Sequence, residues 1–305
     1  MGYRQTRIRA NLEIRAKVVQ AVRRFFEMCG YLEVETPVRI AVPAPEAHIQ
    51  PLPSAGAYLQ TSPELFMKRL LAAGYPKIFQ ICKCFRRGER GRRHVPELTM
   101  LEWYEVNQDY RYLMKQCRRL IQFVAQRLGQ FPTLDYGGQS IELDGLWEKI
   151  SVAEAYRRYA DVGVEDALAG DRFDVLMASR IEPQLGLKRP VFLYDYPARS
   201  GALARLRPDD TSLAERFELY IAGLELCNGF TELTDPVEQR ARFANELARR
   251  RRAGEAATSM PEAFLAALAD MPQAAGNALG IDRLAMLFTN ADCIDDVISY
   301  TPEEG

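Results

Sequence analysis

The tightest constraint on this chain is a pair of strand-like runs on either side of a short basic loop. KIFQICKCF, residues 77–85, alternates Ile78, Gln80, Cys82 and Cys84 on one face with Phe79, Ile81, Lys83 and Phe85 on the other. LTMLEWYEV, residues 98–106, follows the loop. A period of two sustained over such runs specifies strands, and two of them joined by one loop read as a long antiparallel hairpin. The loop itself, in FRRGERGRRHVPE, carries Arg86, Arg87, Arg90, Arg92 and Arg93. Arg86 ends a strand, so its guanidinium sits on a rigid element where it can grip a phosphate bidentately. The other four read either as ligands or as a solvated surface.

Helical and extended signals continue around this hairpin. Val18, Val22, Phe25 and Cys29 mark an amphipathic helix over 12–29 that Gly30 stops, and YLEVETP reads as a short strand ended by Pro37. Four prolines make 41–57 read as an irregular loop. SPELFMKRLLAAG is a helix with Ser62 as its N-cap, Pro63 in its first position and Gly74 as its stop. Another helix runs from Leu113 to Leu128, and weaker helices lie near 151–160 and 172–180. PVFLYDYP is a strand, residues 216–233 hold two more, 236–253 is a polar helix, and GNALGIDRLAMLF is a glycine-flanked strand entering an apolar helix. Antiparallel strands with helices outside them predict an α+β fold, and no composition shift divides residues 1–305.

Forty basic residues against forty-one acidic ones leave no overall field to gather nucleic acid or acidic membranes, so charge recognition has to be local. No signal-peptide core and no long apolar window occurs, and a cytoplasmic, non-membrane protein is expected. Six scattered cysteines without a CxxC pair, with only two histidines, argue against structural zinc and for reduced thiols.

Three constellations carry chemistry. With a turn between Ile221 and Ala222, Glu218 and Glu225 become directly opposite cross-strand partners, and like charges so placed call for a bridging cation such as Mg²⁺ or for water; a turn shifted onto Gly223 breaks that register. Glu64, Glu102 and Glu232 are ordinary surface acids or, if they converge, a pocket for a cationic substrate. In AGNALGIDR, Gly276 and Gly280 permit close approach of a flat ligand, and Arg283 at the start of a helix can meet an anion.

These segments, in this order, resemble the three motifs of class II aminoacyl-tRNA synthetases. VRRFFEMCGYLEVETP is similar to motif 1, FRRGERGRRHVPELTMLEWY to motif 2 and GNALGIDRLAMLF to motif 3. YLQTSPELFMKRLL, FLYDYPA and ERFELYIAGLELCNGFTELTD resemble the lysine-specific branch. The resemblance covers about residues 8–300. That branch has an N-terminal OB-fold domain for the anticodon, whereas this chain begins almost at motif 1, as do the truncated elongation factor P lysine ligases. Ala278, where lysyl-tRNA synthetases have glycine, agrees with the ligases.

The resemblance implies a class II catalytic core that activates lysine or β-lysine with ATP and Mg²⁺ and passes it to a lysine of elongation factor P. It implies a homodimer through motif 1. Arg86 would hold the α-phosphate and Arg283 the γ-phosphate, with His94, Glu225, Leu226 and Gly280 completing the ATP site. Glu218 and Glu225 would bind Mg²⁺. Glu64 would meet the substrate α-amine, while Glu232, Tyr104 and Asn228 would take the side-chain amine, with Ser62, Glu102 and Ala278 also in the substrate site.

Two positions depart from the family pattern. Gly88 stands where motif 2 has an acid, with Glu89 one residue later, and Val95 stands where it has an asparagine near ATP. These departures keep a second class open, a synthetase-like paralogue that binds without catalysis. A third is a stand-alone enzyme charging tRNA, for which Arg249–Arg252 could be cited, although cations at a helix C-terminus need no such role.

Overall fold

The computed structural model describes residues 3–46, 48–201, 203–255 and 258–304. Its centre is an eight-stranded sheet built from β1 (Leu32–Glu33), β2 (Lys77–Phe85), β3 (Glu97–Val106), β4 (Glu148–Ser151), β5 (Val191–Pro197), β6 (Leu213–Ile221), β7 (Leu224–Thr231) and β8 (Ala274–Gly280). The spatial order is β1-β2-β3-β8-β7-β6-β5-β4. The six inner strands pair antiparallel, and the two edge strands β1 and β4 join in parallel. The arginine-loop hairpin is β2 and β3, antiparallel as expected, and its register sets Ile78 opposite Tyr104 and Gln80 opposite Glu102.

Alternation along these strands separates two faces. Phe79, Leu101, Trp103, Phe217, Leu219, Cys227 and Leu279 point to one side, where they pack with Val18, Val22, Phe25 and Phe26 of α1 (Arg9–Met28). The same core takes Leu113, Cys117, Leu120 and Val124 from α3 (Tyr110–Leu128) and Leu284 and Leu287 from α6 (Ile281–Thr289). The opposite face carries Gln80, Glu102, Tyr104, Glu218, Asn228 and Ala278, and its polarity comes from the residues left over by that alternation. On that side lie α2 (Glu64–Ala72), α4 (Pro236–Arg252) and α5 (Glu262–Leu268), which share a smaller apolar cluster of Leu65, Leu71, Phe243, Phe264 and Leu268.

Several local expectations need correction. Residues 41–57 are not wholly irregular, because Leu52–Ser54 and Ala57–Leu59 form a small sheet with Arg39–Ile40. Helix α2 begins at Glu64 with Pro63 as its cap residue, one position later than expected. Ser62 Oγ still accepts the Glu64 amide at 3.0 Å, so its hydroxyl satisfies one free donor of the first turn without being the cap. All six cysteines are free. No helix among the described residues is long and apolar enough to cross a membrane.

Candidate active site

The polar face of the sheet forms the floor of a cavity of about 730 Å³. Ser62, Glu64, Arg86, His94, Glu102, Tyr104, Glu218, Glu225, Leu226, Asn228, Ala278, Gly280 and Arg283 all line it. Of the expected site residues only Glu232 stands outside the lining, one layer behind, where its Oε1 lies against Gly276. A Cβ added at Gly276 would come within 2.5 Å of that oxygen and within 2.2 Å of the Tyr104 ring, so the floor closes only around a glycine there.

The acids do converge. Glu102, 1% exposed, accepts hydrogen bonds from Ser62 Oγ at 2.6 Å and Tyr104 Oη at 2.8 Å. Burial, reinforced by Glu64, pushes its carboxyl up to about 7. Burial also pushes Glu232 up to about 8, against the pull of Lys68. Lys68 was not foreseen. It lies on α2 one turn after Glu64, and its ammonium stands 2.5 Å from Glu64 Oε1 and 2.5 Å from Glu232 Oε2. Burial would strip the Lys68 proton, but Glu232 and Glu64 outweigh that effect and raise its pKa. Its i,i+4 spacing from Glu64, in line with the buried Leu71, was the available signal.

At the other end of the cavity the groups are arginines and a second set of glutamates. Arg86 leaves β2 with its buried Nε lacking any partner and its Nη1 3.9 Å from Glu89, the arrangement of a cation waiting for an anion. Arg283, on the first turn of α6, donates from Nη1 to the Glu225 backbone oxygen at 2.9 Å and to its Oε2 at 3.1 Å, and Nη2 lies 2.5 Å from His94 Nε2. Burial and the Arg283 charge lower the His94 pKa, so the ring is held neutral. Asp282 behind it accepts the Thr99 amide at 2.7 Å and pairs with Arg15 of α1 at 2.6 Å, fixing the start of α6 to β3. Neither role was visible in the spacing of the motifs.

The remaining arginines of the loop divide. Arg93 lines the cavity and donates to the Gly223 backbone oxygen at 2.8 Å. Arg90 is tied outward to Asp295 at 2.9 Å and Glu303 at 2.8 Å, and Arg92 to Asp292. Gly88 has φ +82°, a conformation side chains rarely adopt, which explains why the acid moves to Glu89. Val95 is 2% exposed and packs with Ala285, Met286 and Ile294, so this position serves packing and offers no hydrogen bond.

Glu218 and Glu225 are not directly opposite. The turn is Ala222-Gly223, both with positive φ, which pairs Ile221 with Leu224 and Tyr220 with Glu225. A bulge at Leu226 then shifts the register, and Glu218 faces Asn228. Glu225, paired with Tyr220, already shares the face of Glu218, the bulge brings Asn228 onto it, and the two glutamates still oppose one another electrostatically. Burial first, then Glu225, raise the Glu218 pKa, and Glu182 is raised by burial and by both. Glu218 is held by Arg216 at 2.7 Å, Tyr220 at 2.7 Å and Tyr196 at 2.5 Å. Hard oxygen donors that penalise one another in this way fit a divalent cation. Among the described residues no three acidic, histidine or cysteine side chains gather as a ready metal-binding group.

The arginine run of α4 is partly structural. Arg250, 4% exposed, donates to the backbone oxygens of Glu46 and Ile49 at 2.7 and 2.8 Å, and Arg249 pairs with Glu246 at 3.0 Å.

Comparison with known proteins agrees with this arrangement along the whole chain. The family described as tRNA synthetases class II (D, K and N) matches residues 1–304. The elongation factor P–(R)-β-lysine ligase of Erwinia tasmaniensis is 40% identical over 96% of this chain and 95% of its own length. The proteins of the same name from Sodalis glossinidius and Haemophilus influenzae are each 41% identical, over 96% and 95% of this chain and 95% and 94% of their own. With a sheet whose polar face gathers residues of motifs 2 and 3, and with this identity over nearly its full length, the chain belongs to the class II tRNA synthetase family, within the group of elongation factor P–(R)-β-lysine ligases.

Proposed function

We propose that the protein activates a diamino acid, lysine or (R)-β-lysine, with ATP and transfers it to a lysine amine of elongation factor P. The observation that carries this reading is the polarity of one cavity. Two guanidiniums, Arg86 and Arg283, stand at one end, and the buried carboxylates Glu64 and Glu102 stand at the other with Glu232 behind them. A triphosphate fits the first and ammonium groups fit the second.

In the first step the substrate carboxylate attacks the α-phosphorus of ATP, a P–O bond forms and pyrophosphate leaves. The nucleophile is already ionised, so no protein base is needed. Arg86 would neutralise charge developing on the α-phosphate, and Arg283 would anchor the γ-phosphate after giving up its contact with Glu225. Gly280 and Leu226 would bound the adenylate, with neutral His94 beside it. Glu218 and Glu225 would hold Mg²⁺, which would supply further neutralisation of phosphate charge. Tyr104 and Asn228 would orient the amine end beside Ala278, with Ser62 fixing Glu102. In the second step the acceptor amine attacks the adenylate carbonyl and AMP leaves.

We also propose a homodimer joined through the motif 1 segment, a cytoplasmic location, and residues 1–305 as one catalytic domain. The alternatives lose support from particular residues. A binder without catalysis has no use for an Arg86 whose buried Nε makes no hydrogen bond in a cavity that also holds Glu218 and Glu225, and a tRNA-charging role gains little from an arginine run in which Arg250 is tied to backbone.

ATP–pyrophosphate exchange with the twenty amino acids and both β-lysine enantiomers tests the first step, with Arg86→Ala as control. Exchange confined to lysine or β-lysine, lost in the control, is expected, followed by label transfer to elongation factor P. No exchange with any of them would overturn the assignment in favour of a binding paralogue.

A further inference from the structure

Three glutamates and one lysine meet beneath the amine end of the cavity. Glu64 belongs to α2, Glu102 to β3 and Glu232 to the chain just after β7, whose amide is fixed to the Ala274 oxygen at 2.9 Å. The Lys68 side chain has 0% of its surface exposed, and its ammonium also lies 5.1 Å from the Phe230 ring centre. The chain thus places its own cation between two of the carboxylates.

We propose that Lys68 is a positioning residue that sets the charge of this pocket and makes it selective for a substrate bearing two ammonium groups. The inference rests on reading the cavity as a diamino-acid site. Lys68 engages one oxygen of each partner, Oε1 of Glu64 and Oε2 of Glu232, and leaves the other oxygen of each for a ligand. Glu232 Oε1 is buried without a hydrogen-bond partner and lies against Gly276, the lining residue with no side chain to cover it. An unsatisfied buried carboxylate oxygen is costly, and an incoming ammonium satisfies it.

The charge count selects the ligand. Once ligand binding ionises them, the three acids Glu64, Glu102 and Glu232 against the one fixed ammonium leave two negative charges, which two substrate ammonium groups match when the substrate carboxylate is bound to phosphate. A monoamine of the same length leaves one carboxylate buried and unpaired, which low-dielectric surroundings penalise. Without Lys68 the three carboxylates would face only one another and would take up protons, and a protonated carboxyl no longer demands a second ammonium.

The groups facing Lys68 and its partners come from every neighbouring element. They are Glu64 from α2, Glu102 and Tyr104 from β3, Glu232 after β7 and the Ser62 hydroxyl before α2, with the uncharged Phe230 ring below, and Glu46 on the cavity wall faces Glu64, burial and Glu64 raising its carboxyl to about 7.

The test is ATP–pyrophosphate exchange by Lys68→Met between pH 6 and 9, with lysine, (R)-β-lysine and norleucine as substrates. At pH 7 the KM for the diamino acids is expected to rise about ten-fold or more. The acid limb of kcat/KM should move to higher pH, and the preference over norleucine should shrink. A double variant, Lys68→Met with Glu232→Gln, removes both charges together and guards against misfolding. It should keep an acid limb near that of the wild type while still accepting norleucine better. A KM raised equally at every pH, or discrimination against norleucine unchanged in either variant, would overturn the assignment of Lys68 alone. Absence of exchange by the wild-type protein with every diamino acid would overturn the underlying reading as well.

Discussion

At the amine end of the cavity Glu102, Glu232 and Lys68 are each 1% exposed, whereas at the phosphate end Arg86, Arg283 and Glu225 keep 24%, 19% and 35% of their side chains in solvent. The difference decides what each end can do before a ligand arrives. Charge in the buried end is expensive, so the chain neutralises part of it with Lys68 and with hydrogen bonds from Ser62 and Tyr104. Charge in the half-open end is screened by water, so Arg86 can stand with little pairing and Arg283 can rest on Glu225 until a triphosphate displaces it. One end is built around its ligand's charge, and the other is held ready by solvent.

The largest effect should come from removing the phosphate-end cation that has no firm partner. Arg86→Ala is expected to lower the exchange rate by about 10²–10³-fold, the loss seen when one donor to developing charge is deleted. The KM for the diamino acid should stay near that of the wild type. Steady-state exchange as a function of each substrate separates the two parameters, and an equal loss in both would mean that the two ends are not independent.

The mirror experiment breaks the amine end. Glu232→Gln leaves Lys68 with one carboxylate and removes a charged acceptor, so the KM for the diamino acid should rise about 10–100-fold, the range for a charge-assisted hydrogen bond. The KM for ATP should hardly move. A rise in the ATP KM of the same size would contradict the separation.

A pH series sharpens the comparison with smaller effects. In the ligand-free protein Glu102 and Glu232 have their carboxyl groups raised to about 7 and about 8 by burial. A raised acid favours the folded state while it is protonated, so this contribution is complete below the unfolded value of about 4.5 and is lost as pH rises through about 8. The Tm of the ligand-free protein should therefore drift down between pH 5 and 8. Stabilisation by lysine should grow over the same interval, because the ammonium groups pair with carboxylates that burial would otherwise leave protonated. Differential scanning fluorimetry with and without lysine checks both trends, and a ligand effect independent of pH would place the binding charge elsewhere.

What could be read from sequence follows from which forces are local. The β2–β3 hairpin was legible because alternation is a property of each strand, whereas its register, Gln80 opposite Glu102, came only from the structure. The convergence of Glu64 and Glu102 came through motif resemblance, since residues so far apart meet only through the sheet order. The direct Glu218–Glu225 pairing depended on where the turn falls, and the turn sits on Ala222-Gly223, which puts Tyr220 and not Glu218 opposite Glu225. Lys68 was missed because a lysine is normally an exposed residue, and only the packing of β7 against α2 reveals what it balances. The small sheet around Leu52–Leu59 was hidden by prolines, which an edge pairing tolerates.

The smallest expected effect concerns a position where this chain departs from its family at the phosphate end. Gly88 sits at φ +82° with nothing within 4 Å of a would-be Cβ, so space permits a side chain and only the backbone resists it. Gly88→Glu would restore the motif acid by name while forcing a left-handed conformation that costs about 1–2 kcal/mol in an L-residue. The expected outcome is a Tm lowered by about 2–8 °C, on the scale of about 2–4 °C per kcal/mol for a chain somewhat smaller than this one, with exchange no faster than wild type. The reasoning is that Glu89, 3.9 Å from Arg86, already holds the acid's place on the next residue, so a second carboxylate adds repulsion toward the phosphates without adding a partner that Arg86 lacks. An unchanged Tm with faster exchange would show that the loop adjusts freely, and the half-open end would then owe its readiness to a flexible backbone as much as to solvent.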